Sequence, residues 1–180
     1  IKRREYQRIR LGGITKGIDL LLTWANSLSA FCDANRHSLE IQKYMDYRFV
    51  SIDKVTEGQA CTIDLGLESI PDSTPIIVGA CDNSMIFDRM AFHNLVSSGD
   101  VAAVAFSFRN HSSSKRNPEM YGWIKVTDTD RVVNVSVKKP ISNSPENDHA
   151  IVGAFYFKDV SIYRVALQKL FDENIRINGE

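Results

Sequence analysis

One apolar segment constrains the fold of this chain more than any other part of the sequence. Residues 76–81 form a continuous apolar run that is bounded by Pro75 and Asp82. A short uninterrupted run of this kind is typical of a strand buried on both faces, as strands in a parallel sheet are. We therefore expect this segment to be the central strand of an α/β domain.

The segments around this strand alternate between helix and strand patterns. Thr56 is expected to be the N-cap of a helix that ends near Ser69, with Gln59 as its capping-box partner. A second helix is predicted at about residues 88–98, followed by a strand at residues 101–109. Because strands that alternate with helices usually run in parallel, we predict a mostly parallel sheet.

The first fifty residues predict a similar alternation. Apolar side chains recur at spacings of three and four between Ile18 and Leu28, which predicts a helix at about residues 15–29. A short strand at residues 30–32, a helix at 38–47 and a strand at 49–52 are expected to follow. The first ten residues carry five basic side chains and one acidic one, a pattern typical of a solvated face or tail.

The pattern changes after Arg109, where three strand-like segments follow one another without a helix between them. They cover residues 121–126, 132–137 and 151–157, and residues 128–130 are enough to turn a hairpin between the first two. We expect polar loops at residues 111–117 and 141–149. A last amphipathic helix is predicted at residues 161–173, and its apolar side would carry Val165, Ala166, Leu167, Leu170 and Phe171.

Length and charge restrict the classes of function. A chain of 180 residues is long enough for one ordinary domain and short for two. It carries 22 basic and 22 acidic residues, so no net charge attracts nucleic acid or an anionic membrane. Its longest apolar stretches fall far short of the roughly 20 residues that span a bilayer. We expect a soluble protein whose partners are neither nucleic acid nor membrane; a homo-oligomer remains open.

The cysteines indicate the compartment. Cys32, Cys61 and Cys81 are odd in number and have no CxxC spacing, which gives no basis for a disulfide framework or a zinc site. We interpret them as reduced thiols and expect a cytoplasmic protein.

Two polar residues directly follow the most buried predicted strand. Asp82 and Asn83 stand at the edge where open α/β sheets bind their ligands. A carboxylate there suits Mg²⁺, which binds through one or two carboxylates together with substrate phosphates. An Asx turn or a helix cap would use the same residues, so position alone leaves both interpretations open.

Five short motifs occur in the order and approximate spacing seen in sugar-phosphate nucleotidyltransferases. They are Thr56-Glu57-Gly58-Gln59-Ala60, residues 76–83, Tyr121-Gly122-Trp123, Lys139-Pro140 and Ala150-Ile151-Val152-Gly153. On these motifs, residues 31–180 resemble the middle of an NDP-sugar pyrophosphorylase of the glucose-1-phosphate thymidylyltransferase type. Such enzymes join a nucleoside triphosphate to a sugar 1-phosphate and release pyrophosphate, which supplies nucleotide sugars for polysaccharide or glycan synthesis.

The resemblance implies an α/β, Rossmann-like nucleotidyltransferase fold in a single domain, with a mostly parallel sheet and a late β-rich sugar-binding lobe. Residues 1–30 would be a divergent N-terminal segment. Residues 31–110 would form the nucleotide-binding portion, and residues 111–180 the sugar-phosphate-binding portion.

The resemblance also implies roles for individual residues. Asp82 would hold the catalytic Mg²⁺, and Lys139 would be the catalytic residue that reaches the sugar phosphate. The nucleotide would be bound by Gly58, Gln59 and Asn83. The sugar would be contacted by Tyr121, Gly122, Gly153 and Glu180.

Most of these assignments have a structural alternative. Gln59 could simply close a capping box, and Tyr121 to Trp123 could be an ordinary strand with aromatic packing. Gly122 and Gly153 could relieve crowding or mark bulges. Adjacent strand residues point to opposite faces, so only one of Lys138 and Lys139 could enter a cleft. The family more often has a glutamate where Lys138 stands, which leaves the sugar preference open.

The family's Gly-rich phosphate loop with its essential arginine has no good match. Residues 11–17 contain glycines, but they follow a charged segment. The family's second metal aspartate is expected beyond Glu180. Because the chain also opens on Ile1 and stops just after Asn178-Gly179, we expect the domain to be incomplete at both ends.

Two functions therefore compete. One is the enzyme, and the other is a non-catalytic module of the same fold that binds a nucleotide or a sugar phosphate. A dinucleotide-binding domain is disfavoured because no GxGxxG follows a predicted strand.

Overall fold

The strands of the chain associate side by side in a sheet with helices on both faces. The computed structural model describes residues 19–23, 55–80 and 85–174, and for residues 19–23 and Ala80 it describes the backbone alone. In chain order the strands are β1 (Asp19–Thr23), β2 (Ile76–Ala80), β3 (Ala103–Phe108), β4 (Gly122–Val126), β5 (Val132–Val137) and β6 (His149–Phe157). The helices are α1 (Gln59–Gly66), α2 (Arg89–Ser97), α3 (Ser112–Arg116) and α4 (Val160–Asp172).

The sheet is mixed and mainly antiparallel, so the prediction of a mostly parallel sheet was wrong. The path across it is β1-β2-β6-β4-β5, and β3 pairs with β6 off this path. Within the described ranges β1 and β2 form the one parallel pair, whereas β2, β3 and β4 are each antiparallel to β6. β2 and β3 do run in the same direction, as their intervening helix suggested. The alternation could not reveal that β6, which comes later in the chain, lies between them.

The apolar run that predicted a central strand is confirmed as β2. Ile76 and Val78 are fully buried on one face, and Ile77 is buried on the other. The first face packs against α1 and α4 through a cluster of Ile63, Leu67, Val160, Tyr163 and Leu167. The second face packs against α2 through Phe92, together with Tyr156 of β6. β2 therefore stabilises the domain by burying apolar surface on both sides.

The helix predicted at residues 15–29 is contradicted by β1. Asp19–Thr23 is a strand, paired in parallel with β2 in a register that runs from Asp19 opposite Ile76 to Thr23 opposite Ala80. Periodicity cannot distinguish a short apolar run in a strand from one in a helix. Pairing along the edge of β2 decides the conformation here. The elements predicted between residues 30 and 52 lie outside the described residues.

The three strands predicted after Arg109 are confirmed as β4, β5 and β6, with one addition. β4 and β5 form the predicted hairpin, from Gly122 opposite Val137 to Val126 opposite Val132. The predicted polar loop at residues 111–117 contains the short helix α3, which His111 caps by accepting a hydrogen bond from the Ser113 N–H. The loop composition concealed this helix because serines are poor helix formers away from a cap.

β5 is the last strand along the path of the sheet. Its exposed residues include Val132, Val133, Val135 and Val137. The Val135 N–H is bound by the side-chain oxygen of the adjacent Asn134, at 2.9 Å. One backbone donor of this strand is thus satisfied locally rather than by a neighbouring strand.

The helices are short, and α4, with 13 residues, is the longest of those described. Its buried side is formed by Val160, Tyr163 and Leu167, whereas Val165, which we expected on the apolar side, is 71% exposed. The apolar side was misplaced because Val165 is two positions from both Tyr163 and Leu167, which at about 100° per residue puts it on the opposite side of the helix. In the part of the chain that the structure describes, no helix has the length and apolarity needed to cross a membrane.

Candidate functional site

A bulge in β6 forms the centre of the candidate site. β3 and β6 pair at Ala105 opposite Phe155 and again at Ser107 opposite Ile151. Between these pairs β3 advances by two residues and β6 by four, so β6 contains two additional residues. Gly153 lies in the middle of the interruption with φ 88°, a conformation that suits glycine and strains other residues. The sequence left open whether Gly153 marks a bulge, and the structure shows that it does.

The bulge lies between the ends of two other strands. β3 occupies one edge of β6, so β2 and β4 must share the opposite edge. β2 pairs with residues 155–157 and β4 with residues 149–150. The stretch at residues 151–154 therefore lies between the carboxyl end of β2 and the start of β4. The motifs of the resemblance that include β2, the start of β4 and residues 150–153 therefore meet at one place in the sheet.

Gln59 contacts the bulge directly. Its Nε2 donates a hydrogen bond to the Gly153 carbonyl oxygen at 3.0 Å, across 94 positions of sequence. The capping box expected with Thr56 is absent, because the N-cap is Gly58, with φ 131° and no side-chain cap. The helix thus starts at Gln59, and Gln59 stands at the first helical position instead of the third. Thr56 instead donates to the Gly58 carbonyl at 3.1 Å.

Gly122 packs against Ile151, two residues before Gly153. A Cβ added at Gly122 would lie 3.1 Å from Cδ1 of Ile151, which is closer than an ordinary van der Waals contact. The isoleucine side chain therefore uses the space that glycine leaves. This packing is a structural reason for Gly122, and it does not test a contact with a sugar.

The strand register shows which residues near the bulge lie on the face of the sheet that packs against α1. Ala105 pairs with Phe155, which lies on the same face as Val78 and therefore as α1. Ser107 is two residues further along β3 and shares that face with its partner Ile151. Gly122, whose missing Cβ would meet Ile151, opens to the same side. Both Gln59 and Gly122 are thus on the α1 side of the sheet.

The aromatic neighbours of Gly122 lie on the opposite face. The Tyr121 ring packs edge-on against Phe108 and Trp123, at 5.5 and 5.9 Å between ring centroids. Its hydroxyl donates to Ser113 Oγ at 3.0 Å, and the fully buried Trp123 donates from Nε1 to the Pro118 carbonyl at 3.0 Å. Tyr121 and Trp123 therefore have the aromatic packing that was one of the two interpretations of this motif.

Lys139 follows the end of β5. The expectation that Lys138 and Lys139 point to opposite faces does not apply, because Lys138 leaves the strand with φ 59°. The Lys138 N–H donates to the Tyr121 carbonyl at 2.9 Å, and the Lys139 carbonyl accepts from Ser136 Oγ at 2.6 Å. These bonds fix the lysine backbone beside the start of β4, and both lysine side chains are exposed.

Three predicted site residues, Asp82, Asn83 and Glu180, lie outside the described residues. β2 ends at Ala80, two residues before Asp82. Within the described ranges no group of three or more His, Cys, Asp and Glu side chains could hold a metal ion. Cys61 is a free thiol, and the other two cysteines are outside these ranges.

Two polar contacts near the site were missed from the sequence. The buried Tyr163 of α4 donates its hydroxyl proton to the Ala60 carbonyl in the first turn of α1, and burial raises the pKa of Tyr163. Ser107 Oγ lies 2.9 Å from His149 Nδ1, on the face that carries Ile151. Tyr163 could have been found, since Val160, Tyr163 and Leu167 have helical spacing. No local pattern pairs Ser107 with His149.

Comparison with known proteins shows a shared fold. No protein-family model matches the sequence, and no curated protein matches it. A solved structure of a candidate glucose-1-phosphate thymidylyltransferase from Bacillus anthracis, in complex with sucrose, is similar with a TM-score of 0.58 and 13% sequence identity. The match covers 83% of this chain and 55% of the other, so the chain spans about half of that protein's length. At this identity the likeness shows the fold alone: a mixed α/β fold that a nucleotidyltransferase candidate also has.

Proposed function

We propose that this chain is part of a nucleotidyltransferase that joins a nucleoside triphosphate to a sugar 1-phosphate and releases pyrophosphate, giving a nucleotide sugar for polysaccharide or glycan synthesis. The hydrogen bond between Gln59 and Gly153 carries the proposal. It joins the residue that the resemblance assigns to the base with one that it assigns to the sugar. The fold shared with a thymidylyltransferase candidate supports the same function.

In the proposed reaction an oxygen of the sugar phosphate attacks the α-phosphorus of the triphosphate in line, and pyrophosphate leaves. The work of the protein is to position the two reactants and to stabilise charge. Gln59 would contact the base through its amide, and Gly58, without a Cβ, would allow the ring to approach closely.

The late lobe would hold the other substrate. Gly122, which meets the Ile151 side chain, and Gly153, two residues after Ile151, would let backbone groups approach the sugar hydroxyls. Lys139 would neutralise the sugar phosphate from the end of β5. The sugar would also be contacted by Glu180 and by the backbone of Tyr121, because the Tyr121 ring packs against Phe108 and Trp123 on the opposite face of the sheet. Asn83 would bind the nucleotide, and Asp82 would hold Mg²⁺, which supplies positive charge to the phosphates.

A screen of nucleoside triphosphates against sugar 1-phosphates, with pyrophosphate release as the readout, tests the proposal on full-length protein. Asp82→Ala should abolish turnover while the fold is kept, and the exposed Asp100→Ala serves as its control. Wild-type pyrophosphate release by Asp82→Ala would overturn the assignment of Asp82. Absence of release with every pair in the wild type would overturn the reaction.

Lys139 has a matched control in the same hairpin. Lys125 is also exposed, but it pairs with Asn134 and alternates with Ile124, so it lies on the opposite face from Gly122. Lys139→Ala should raise the KM for the sugar phosphate at least about tenfold, the size of one lost charge-assisted hydrogen bond. Lys125→Ala should leave this KM unchanged. Equal effects of the two substitutions would remove Lys139 from the site.

A non-catalytic module that binds a nucleotide or a sugar phosphate is the second candidate. The observation that favours it is that the family's Gly-rich phosphate loop has no good match in this sequence, in which residues 11–17 contain glycines but follow a charged segment. Calorimetry on full-length protein separates the two, because the module should bind a nucleotide or a sugar phosphate without releasing pyrophosphate.

A further inference from the structure

Adjacent residues of α4 fix the two ends of α1. The Tyr163 hydroxyl donates to the Ala60 carbonyl in the first turn of α1. The Arg164 guanidinium donates from Nη2 to the Leu67 carbonyl at the other end, at 3.1 Å, and forms an ion pair with Asp72 through Nη1. Each anchor therefore acts on a different end of the same helix.

α1 depends on such anchors because it is intrinsically weak. It has eight residues, and isolated helices of this length are not stable in water. Its N-cap is Gly58, which provides no side-chain cap for the free N–H groups of the first turn. The first turn therefore depends on contacts from outside the helix, and the Tyr163 hydroxyl supplies one of them at a carbonyl, although it leaves those N–H groups uncapped.

Tyr163 is well placed to provide that contact. Its side chain is 5% exposed, and its ring packs edge-on against Phe157 of β6 at 5.3 Å between centroids. One residue thus connects α4, α1 and β6. Ala60 directly follows Gln59, so the hydroxyl acts one residue away from the side chain that contacts the bulge in β6.

We propose that Tyr163 is a positioning residue, whose hydroxyl holds the first turn of α1 so that the Gln59 amide meets the Gly153 carbonyl in the orientation that selects the nucleotide base. The selection of a base rests on the proposed function. The positioning of Gln59 does not, and it can be measured without a nucleotide.

The decisive variant is Tyr163→Phe, which keeps the ring and removes the hydroxyl. Tyr156→Phe is the matched control, because Tyr156 is 4% exposed and packs on Phe92 at the opposite face of the sheet. Arg164→Met is a second control, since it releases only the other end of α1. All three variants are expected to fold, which circular dichroism and urea unfolding check.

The first readout is the pair of side-chain amide proton signals of Gln59 in NMR spectra of the nucleotide-free protein, assigned by their loss in Gln59→Ala. In Tyr163→Phe these signals should move to the positions of a solvent-exposed amide, and the Thr62 N–H, which donates to the Gly58 carbonyl and closes the first turn of α1, should exchange about tenfold faster, corresponding to one lost hydrogen bond. Both controls should retain the wild-type signals. Unchanged Gln59 signals in Tyr163→Phe would overturn the positioning role.

The second readout is the ratio of dissociation constants for the best and worst of the four nucleoside triphosphates, from calorimetry. Tyr163→Phe and Gln59→Ala should each reduce this ratio about tenfold, and the double variant should reduce it no further, because both act on the same contact. Additive losses would overturn the proposal. If wild-type protein binds no triphosphate, the proposed function fails, and the NMR result still decides whether Tyr163 positions Gln59.

Discussion

The side-chain nitrogen of Gln59 lies 3.0 Å from the carbonyl oxygen of Gly153, although 94 positions separate the two residues in the chain. The bond connects the first residue of α1 with the centre of a bulge in β6, the longest of the described strands. The bulge lies where β2 ends and β4 begins. The start of α1 therefore lies close to three strands, β2, β4 and β6, at this site. The predictions below test the parts of this arrangement.

Gly153→Ala should destabilise the fold by about 1–2 kcal/mol, because alanine is strained at φ 88°. Gly99 provides a matched control, since its φ is 79° and nothing lies within 4 Å of its missing Cβ. Gly99→Ala should cost a similar amount in urea unfolding. Only Gly153→Ala should also shift the Gln59 amide signals, and a shift in both variants would indicate a global effect.

Gly122→Ala should destabilise the chain by about 1 kcal/mol, because the new Cβ meets Cδ1 of Ile151 at 3.1 Å. Ile151→Val removes that methyl group and should recover most of the loss in the double variant. Urea unfolding of the four proteins forms the cycle. A double variant that regains stability but binds sugar phosphate weakly would indicate that Gly122 also contacts the sugar. Absence of rescue would contradict the packing explanation.

His149 should make stability depend on pH. Burial and then the positive charge of Arg109 lower the pKa of His149 from its usual value of 6.5, against the opposing effects of Asp130 and Asp148. The folded state therefore binds this proton less readily than the unfolded state does. Stability should be complete above pH 6.5 and should fall as the pH decreases below it.

Urea midpoints at pH 7.5 and pH 5.5 measure this dependence. His149→Gln should reduce the difference between the two midpoints, whereas His93→Gln, at an exposed position of α2, should leave it unchanged. An identical pH dependence in the wild type and in His149→Gln would rule out His149 as its source.

Asp88→Ala should weaken α2. The Asp88 side chain accepts hydrogen bonds from the Met90 and Ala91 N–H groups, at 2.9 and 3.0 Å, and so caps the helix. Its loss should cost about 1 kcal/mol in urea unfolding, and Asp88→Ser should recover part of it because serine can also cap. Equal losses for alanine and serine would contradict the capping role.

The sequence predicted elements best where burial and local pattern agree. β2 was found because Ile76 to Val78 must be buried on both sides, and β5 because short polar turns flank its valines. β1 was mistaken for a helix because its apolar side chains also fit a helical period. The relative direction of the strands was mistaken because β6 pairs with β2 and β3, which are distant in the chain. No local sequence pattern indicates such pairing.

The candidate site was predictable in part. The resemblance selected Gln59 and Gly153, and these two residues do meet. The position of Gln59 in its helix was not predictable, because the capping box expected at Thr56 placed the start of the helix two residues before the one that the N-cap Gly58 gives. The burial of Tyr163 could have been predicted from its helical spacing, but its hydrogen-bond partner could not, because a backbone carbonyl 103 positions away has no signature in sequence.

The bond between Asn134 and the Val135 N–H has a consequence for association between chains. An open strand edge lined with valines is a template on which further strands can assemble into aggregates. A strand that approaches β5 must first displace the Asn134 side chain from the donor it needs, and therefore loses one hydrogen bond for each one it gains there. The short polar side chain of Asn134 thus makes the addition of a further strand at Val135 less favourable.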